Sequence, residues 1–254
     1  MCLLVVLSRV IPGAPLLVAA NRDEWLDRPA LAMTSLSEAP RIRGGRDERA
    51  GGTWLATSQS GLVAGLTNVP MNRQPTVSKR SRGELPLLLA RLPGALEAAR
   101  ALQSSIRSEE FNPCWMLCGD REALVYLDLS TSGRPRVEPL EPGIHILENR
   151  PLGPSPKTDL VRALLGQPPS ELDALTRRLE SLLASHEIPP AARTRGDGRQ
   201  PETGAACVQA GPYGTRSAQI VIVPDRGAPR IRFTTGPSCE NLWQALPADL
   251  QFRS

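Results

Sequence analysis

Lysine and histidine are scarce in this sequence of 254 residues. Only two of its 30 basic residues are lysine, and only two residues are histidine. The arginines, set against 26 acidic residues, are spread along the chain and form no basic block. A face that binds nucleic acid normally requires such a cluster. We therefore expect no nucleic-acid partner.

Cysteine occurs at five positions: Cys2, Cys114, Cys118, Cys207 and Cys239. An odd number argues against a disulfide framework and favours reduced thiols, which indicates a cytoplasmic location. No cysteines or histidines have the local spacing of a zinc site, so the sequence predicts no metal site. Cys114 and Cys118 are four residues apart in a predicted strand, and we expect them on one face of it, in the core.

Long apolar runs and low-complexity linkers are absent as well. The apolar run at residues 3–7 is followed by Arg9, Pro12 and Pro15 and is too short to cross a bilayer. It has no basic segment before it, so it does not have the form of a signal peptide. The sequence thus predicts no membrane span and a single domain over residues 1–254.

The first functional hypothesis concerns Cys2. Aliphatic side chains on both faces of residues 3–7 predict a strand that is buried on both sides. Removal of Met1 would make Cys2 the amino-terminal residue, with a thiol and a free α-amine. The thiolate is the nucleophile, and an α-amine titrates near ~8, so it can act as the base. This chemistry fits an N-terminal nucleophile; the alternative is that Cys2 is a packed core residue.

Turn residues at 11–14 predict a hairpin to a second apolar strand, which ends in Asn21, Arg22 and Asp23. Adjacent antiparallel strands bring the end of one strand beside the start of the other, and hence these polar residues beside Cys2. Asp23 is placed to hold the α-amine, and Arg22 to favour the thiolate. The alternative is the start of an ordinary solvated loop.

Four other stretches supply candidate site residues. Glycines before Trp54 indicate a close approach of two backbones. Asn68 ends a predicted strand, where its carboxamide either donates to an oxyanion or forms a turn. Asn149 ends another strand in the same way. Tyr213 opens a glycine-containing turn in which Arg216 either faces the site or caps a carboxylate elsewhere.

The rest of the chain predicts alternating groups of strands and helices. The expected helices cover residues 81–92, 96–106, 158–165 and 170–186. The expected strands cover residues 51–56, 61–68, 114–118, 123–129, 136–140, 143–147, 205–209, 217–223 and 230–234. Ser170 is the expected cap of the last helix. Residues 31–50 are predicted as an exposed loop and residues 189–204 as a mobile loop.

Several motifs together resemble the NRDE family, which includes the transport and Golgi organisation proteins of eukaryotes. The motifs are Met1-Cys2, Asn21-Arg22-Asp23-Glu24, Gly52-Thr53-Trp54, Gly65-Leu66-Thr67-Asn68, Ser81-Arg82-Gly83 and Tyr213-Gly214-Thr215-Arg216-Ser217. The resemblance extends from residue 1 to about residue 235. It implies an α+β fold of the N-terminal-nucleophile superfamily, a four-layer αββα sandwich of two antiparallel sheets. It also implies a relationship to penicillin V acylases and bile-salt hydrolases.

The acylase resemblance implies a role for each matching residue. Cys2 is the implied nucleophile and base, and Asp23 is the implied holder of the α-amine. Asn68 and Asn149 are implied to bind substrate and the oxyanion, and Arg216 is the implied late arginine near the thiol.

Arg22 departs from the acylase pattern, in which an early arginine stands three residues before the aspartate, at the position of Ala20 here. Strand alternation also places Arg22 on the face opposite Asn21 and Asp23. The candidate substrate-binding residues are Asn21, Arg22, Trp54 and Tyr213.

Two functions are compatible with these features. The first is a cysteine amidohydrolase that cleaves a linear C–N amide bond through a Cys2 thioester and requires no cofactor. The second is a non-catalytic binding or trafficking protein for haem or another hydrophobic ligand, because some members of the family are implicated in haem trafficking. The family resemblance implies a role in Golgi and secretory organisation in the eukaryotic relatives. Haem needs an axial ligand, and the available histidines are His145, on a strand, and His186, expected as a helix C-cap. In both cases the partner is a small molecule, and no particular oligomeric state is predicted.

Overall fold

The structure, a computed structural model, describes residues 2–70, 76–194 and 200–252. In these residues the chain forms two antiparallel β-sheets that pack face to face, with helices on both outer surfaces. This four-layer αββα arrangement confirms the predicted fold class.

The first sheet contains the amino-terminal strand and most of the candidate site residues. Its strands are β1 (Cys2–Ile11), β2 (Ala14–Trp25), β10 (Gly143–Leu147), β11 (Gln209–Ala210), β12 (Tyr213–Val223), β13 (Arg230–Phe233) and β14 (Gln244–Ala245). The strand order is β10-β1-β2-β12-β13-β14, and β11 pairs with β12. The strands β1 and β2 form the predicted hairpin. Its turn places Gly13 at a φ of +75°, which favours glycine.

The second sheet is a simple meander, in which each strand pairs with the next one along the chain. Its strands are β3 (Ala30–Glu38), β4 (Arg41–Asp47), β5 (Leu55–Ser58), β6 (Val63–Asn68), β7 (Cys114–Gly119), β8 (Leu124–Asp128) and β9 (Arg136–Leu140). The meander brings the end of β6, with Asn68, against the first sheet.

Helices cover the outer face of each sheet. They are α1 (Glu84–Ala90), α2 (Ala95–Ser105), α3 (Pro156–Leu165), α4 (Leu172–Leu183) and the short α5 (Pro190–Arg193). The helices α1 and α2 pack on the second sheet, and α3 and α4 pack on the first. None of the described helices is long and apolar enough to cross a membrane.

The strand β1 shows why the two sheets form one body. Leu3, Val5 and Leu7 pack against α3 and α4, whereas Leu4 and Val6 pack between the sheets. Each such side chain contributes roughly 1.5–3 kcal/mol when it is fully buried. The prediction of a strand buried on both faces is therefore confirmed.

The two cysteines of β7 behave as core residues, as predicted. Cys114 and Cys118 lie on the face that packs against the helices, and Trp115 and Leu117 point between the sheets. Burial raises the pKa of the Cys114 thiol to about 12 and also raises that of Cys118. These two thiols are therefore unsuited to nucleophilic chemistry at neutral pH.

The prediction of an exposed loop over residues 31–50 is wrong, because this segment forms β3 and β4. Ile42 is fully buried in the core and Arg43 is 2% exposed. The Arg43 guanidinium group is held by the Glu38 carboxylate at 3.1 Å and by the Leu250 carbonyl at 2.8 Å. The polar composition of the segment did not indicate a strand, because the charge of the buried arginine is stabilised by a partner near the far end of the chain.

Two smaller expectations also need correction. Of the strand predicted at residues 205–209, the structure retains only Gln209–Ala210, and the preceding residues form bends. The cap of α4 is Glu171 and not Ser170. The Glu171 carboxylate accepts hydrogen bonds from two backbone N–H groups of the first turn, at 2.9 and 2.7 Å.

The segment predicted as a mobile loop, residues 189–204, contains α5 and a 3₁₀ turn over Pro201–Gly204. Residues 195–199 lie outside the described residues. The mobility of the segment stays a prediction.

Candidate active site

The candidate residues of the first sheet gather where β1 begins and β2 ends. The backbone register pairs Cys2 with Arg22, and Arg22 in turn with Ser217 of β12. The next position on β2, Asp23, pairs with Thr215. The first residue of the chain, whose removal the N-terminal-nucleophile hypothesis requires, lies outside the described residues.

Asp23 carries a carboxyl group that is almost completely buried, with 1% of the residue exposed. Its Oδ1 atom accepts a hydrogen bond from Thr215 Oγ1 at 2.6 Å, and Tyr213 Oη donates to its backbone carbonyl at 2.9 Å. Burial raises the pKa of Asp23, while the charge of Lys157, the Thr215 hydrogen bond and the charge of Arg22 oppose the rise. Buried carboxyl groups with basic neighbours are common in functional sites.

Lys157 is a charged neighbour of Asp23 that the sequence analysis missed. It is the second residue of α3, it is buried, and its Nζ atom donates to the Thr203 carbonyl at 3.4 Å. Of the charges that oppose the rise in the Asp23 pKa, that of Lys157 has the largest effect. Its residue type could have drawn attention to this position, because lysine is rare in a chain whose other basic residues are mostly arginine.

Arg22 lies on the face of β2 opposite Asn21 and Asp23, as strand alternation predicted. Its Cζ atom is 4.4 Å from the centroid of the Trp54 ring, and its Nη2 atom is 3.5 Å from Asp47 Oδ2. A stacked arginine of this kind contributes about 0.5–2 kcal/mol. Arg22 and Trp54 therefore form one unit between the two sheets.

Asp47 joins Arg22 to a second arginine. Its Oδ2 atom is also 2.7 Å from the Nε atom of Arg28, which follows β2. Burial opposes ionisation of Asp47, but hydrogen bonds from Arg28 and from the backbone N–H of Ala50 outweigh it and hold the pKa of Asp47 below its ordinary value. The end of β4 is thus tied to the end of β2.

Two glycines permit the close contacts around Trp54. A Cβ atom on Gly45 would lie 1.9 Å from the Trp54 ring, and a Cβ atom on Gly52 would lie 2.5 Å from the backbone of Gly83. The Thr53 N–H group donates to the Gly83 carbonyl at 3.0 Å. The predicted close approach of two backbones before Trp54 is therefore confirmed.

Arg216 is the extra residue of a β-bulge in β12. Thr215 and Ser217 pair with consecutive residues of β2, so Arg216 has no partner of its own in the register. A bulge re-aims the side chain that it contains. Arg216 donates to the backbone carbonyls of Leu26 at 2.5 Å and Arg28 at 3.5 Å. Its buried Nε atom has no hydrogen-bond partner among the described residues.

Tyr213 lies at the start of β12, on the same strand end. Its ring is in edge contact with Trp25, with ring centroids 5.6 Å apart. Together with the hydrogen bond from Tyr213 to the Asp23 backbone, this contact fixes the last residues of β2.

Asn21 is a buried hydrogen-bonding centre on the helix-facing side of β2. Its Nδ2 atom donates to the carbonyls of Leu183 and Ala206, both at 2.8 Å. Ser238 Oγ lies 3.5 Å from Asn21 Oδ1 and also donates to the Leu183 carbonyl at 2.7 Å. Both amide hydrogens are thus engaged with the fold. Its predicted contact with substrate stays a prediction that requires these bonds to open.

Asn68 and Asn149 are brought together across the two sheets. Asn149 Nδ2 donates to the Asn68 backbone carbonyl at 2.5 Å. Asn149 also follows two residues after Leu147, which pairs with Leu4 of β1. Asn149 therefore lies just beyond the end of β10, on the side of β1 away from β2.

A groove of about 700 Å³ lies elsewhere, along α4 and β13. Ile222, one of its lining residues, pairs with Leu17, five residues before Arg22 on β2. At 3.3–3.4 Å per residue, this part of the groove is roughly 17 Å along the strands from Arg22 in the candidate site.

Comparison with solved structures defines the class of protein. The fold is similar to that of the Caenorhabditis elegans N-acylethanolamine-hydrolyzing acid amidase ortholog, with a TM-score of 0.56, 11% identity, and coverage of 97% of this chain and 100% of that one. It is also similar to the C2A mutant of conjugated bile acid hydrolase from Clostridium perfringens, with a TM-score of 0.54, 12% identity, and coverage of 99% and 94%. The chain therefore has the fold of the N-terminal-nucleophile hydrolases.

Comparison of sequences defines the family. The family model described as Transport and Golgi organisation 2 matches residues 1–234, so the chain belongs to that family. Among its relatives, the Transport and Golgi organization protein 2 homolog of Bos taurus is 29% identical over 234 residues, which cover 84% of this chain and 83% of that protein. The family resemblance seen in the sequence is confirmed.

Proposed function

We propose that this protein is an N-terminal-cysteine amidohydrolase that cleaves a linear C–N amide bond through a Cys2 thioester. The observation that carries the proposal is the buried carboxyl group of Asp23, which is adjacent on β2 to the register partner of Cys2. Burying an ionisable group is costly unless it is paired, so the concentration of Asp23, Lys157 and Arg22 at one strand end favours a functional role. The fold shared with amidases supports the same class of reaction.

In the proposed reaction the proton of the Cys2 thiol moves to the α-amine of the same residue. The thiolate then attacks the amide carbonyl, and the resulting ammonium group returns its proton to the leaving nitrogen as the C–N bond breaks. Water, deprotonated by the α-amine, hydrolyses the thioester and releases the carboxylic acid. Asp23 holds and orients the α-amine through these steps.

The oxyanion that forms during attack needs hydrogen-bond donors. We assign this role to Asn68 or Asn149, because Asn149 lies just beyond the end of β10, which pairs with β1, and is bonded to Asn68. Arg216 is assigned to the substrate side of the site, since its buried Nε–H group has no hydrogen-bond partner among the residues that the structure describes.

Substrate binding is assigned to Arg22, Trp54 and Tyr213, whereas Asn21 is assigned a positioning role. Arg22 and Trp54 stack on each other and are buried, so in this proposal they form a fixed wall of the substrate site. Asn21 acts in this proposal by positioning β2 beneath the site, through its bonds to the helix-facing layer.

The proposal is tested with a panel of linear N-acyl amides of graded acyl length, assayed with the wild-type protein and with Cys2→Ala and Cys2→Ser. We expect wild-type turnover of at least one amide and none in either variant, with unchanged far-ultraviolet circular dichroism. Cys118→Ala is the matched control, because it removes a buried thiol from β7 on the far side of the second sheet. Equal turnover in Cys2→Ala and wild type would exclude the mechanism.

A carrier function for haem or another hydrophobic ligand is the competing outcome. If no amide in the panel is cleaved and haem addition shifts its Soret absorption, the carrier function replaces the hydrolase. The variants His145→Ala and His186→Ala then identify the axial ligand. A haem spectrum that is unchanged by the protein counts against this alternative.

A further inference from the structure

Three potential metal ligands from distant parts of the sequence meet beside the candidate site. The ligand atoms of His186, Cys207 and Cys239 all lie within 4.8 Å of one another, and the two sulfur atoms are 3.4 Å apart. His186 lies 21 residues before Cys207, and Cys239 lies 32 residues after it. Local spacing could not reveal this cluster, which explains why the sequence predicted no metal site.

The separation of the sulfur atoms fits a shared metal ion. Two thiolates bound to one tetrahedral Zn²⁺ at about 2.3 Å lie roughly 3.8 Å apart. The observed 3.4 Å is close to this value, whereas a disulfide bond requires about 2.05 Å. The His186 imidazole at the same point supplies a third ligand to a metal ion, whereas a disulfide bond would involve only the two sulfur atoms.

Hydrogen bonds around the cluster resemble those that orient metal ligands. His186 Nδ1 is 3.0 Å from the Cys207 carbonyl, and the Gln209 side chain donates to Cys239 Sγ at 3.7 Å and to Glu240 Oε1 at 2.9 Å. In metal sites the ligating histidine typically donates its other ring N–H group to a carbonyl or carboxylate. The structure also corrects the expectation that His186 caps α4, because its ring contacts Cys207 and not the end of the helix.

We propose that His186, Cys207 and Cys239 bind a thiophilic divalent cation, Zn²⁺, with a fourth position open to water. Two thiolates and one imidazole are a ligand set that suits zinc. Cys207 is buried, Cys239 is half-buried and His186 is exposed, so the ion would enter from the side of the histidine.

The ion would act as a structural clamp beneath the candidate site. Ala206, which Asn21 binds, precedes Cys207, and Ser238, which contacts Asn21 Oδ1, precedes Cys239. Binding of the ion therefore joins three segments that hold Asn21. They lie at the end of α4, just before β11 and just after β13. Cys239 lies beyond residues 1–234, which the family model matches.

Binding is balanced by the release of thiol protons. Each cysteine thiol gives up its proton to solvent as its sulfur binds the ion. No oxidant is involved, and both cysteines remain at the thiol oxidation level.

The test is titration of the untagged, reduced and chelator-treated full-length protein with Co²⁺, followed by competition with Zn²⁺. We expect a thiolate-to-cobalt charge-transfer band that saturates at one ion per chain and is lost when Zn²⁺ is added. The band should be lost in Cys207→Ser and Cys239→Ser and weakened in His186→Ala, and Zn²⁺ should raise the wild-type melting temperature. His145→Ala is the matched histidine control and should leave the band unchanged.

Circular dichroism and the melting temperature of each metal-free variant establish that it is folded before its spectrum is interpreted. Cys239→Ser, at a half-buried position, keeps the test valid if Cys207→Ser does not fold. A wild-type protein without a charge-transfer band would overturn the proposal. So would a band that persists in Cys239→Ser, or a Cys207–Cys239 disulfide in protein purified without reductant.

Discussion

The substitution Asn21→Ala probes the buried centre on which the candidate site rests. In the wild-type protein the Asn21 carboxamide donates two hydrogen bonds of 2.8 Å, to the carbonyls of Leu183 and Ala206. Alanine removes both bonds and leaves the Ala206 carbonyl without this donor in a buried position. The Leu183 carbonyl keeps the hydrogen bond from Ser238.

The size of the effect follows from these contacts. Each lost hydrogen bond costs about 1 kcal/mol, and a carbonyl left buried without a donor costs about 1–2 kcal/mol more. We therefore expect Asn21→Ala to lower the free energy of unfolding by about 3–4 kcal/mol. A loss of this size is a large part of the total stability of an ordinary domain.

The assay is urea unfolding followed by circular dichroism, with the free energy obtained by linear extrapolation. Asn241→Ala is the matched control, because the half-buried Asn241 donates a single bond of 3.1 Å to the Pro237 carbonyl of its own turn. We expect the control to lose about 1 kcal/mol or less. If both variants lost the same small amount, the structural role of Asn21 would be refuted, and its carboxamide would be available to substrate.

Three other predictions concern the same region. Gly52→Ala places a Cβ atom 2.5 Å from a facing backbone carbon and should cost about 1–3 kcal/mol. The control Gly143→Ala, where the nearest atom belongs to a flexible side chain 3.5 Å away, should cost less than about 0.5 kcal/mol. Equal costs would contradict the close-approach argument. Burial raises the pKa of Asp23 in the folded state above its ordinary value of 3.8. The stabilising contribution of its neutral carboxyl group is therefore present below that value and is lost as the pH rises through the raised pKa. The free energy of unfolding of Asp23→Asn, measured with urea, should therefore rise relative to that of the wild type over this pH range. A difference in free energy that does not vary with pH would count against the raised pKa of Asp23. Lys157→Met should raise the Asp23 pKa further and move the upper end of that pH range upward. The control Lys79→Met removes a lysine bonded to a different carbonyl and should leave the Asp23 pKa unchanged. Identical shifts of the Asp23 pKa in both variants would argue against a charge interaction with Lys157.

The fold was predictable from sequence where periodicity and turn residues agreed. The two-sided run of β1, the turn at Gly13 and the leucine stripe of α4 each specify their own local structure, and the order of strands and helices then favours a sandwich. The segment over residues 31–50 was not predictable in this way. Its second strand, β4, contains the buried Arg43. A hydrogen bond to the Leu250 carbonyl stabilises this arginine, and no local sequence pattern can indicate so distant a partner.

The candidate site was predictable only in its residue types. Strand ends suggested Asp23 and Asn149. The register places Asp23 next to Arg22, the partner of Cys2, and Asn149 lies just beyond the strand on the other side of β1. The buried Lys157 was missed because its relation to Asp23 depends on how α3 packs on the first sheet. The partners of Asn21 were missed for the same reason, because they lie on elements far along the chain.

The central claim is that Cys2 is the amino-terminal residue of the working protein. The most direct test is the intact mass of the purified, untagged chain, with amine labelling of its amino-terminal peptide. The proposed mechanism predicts a chain that begins at Cys2 with a free α-amine. A protein that retains Met1 in full, or that carries a blocked amino terminus, would contradict it, because neither can supply the base from the same residue as the nucleophile.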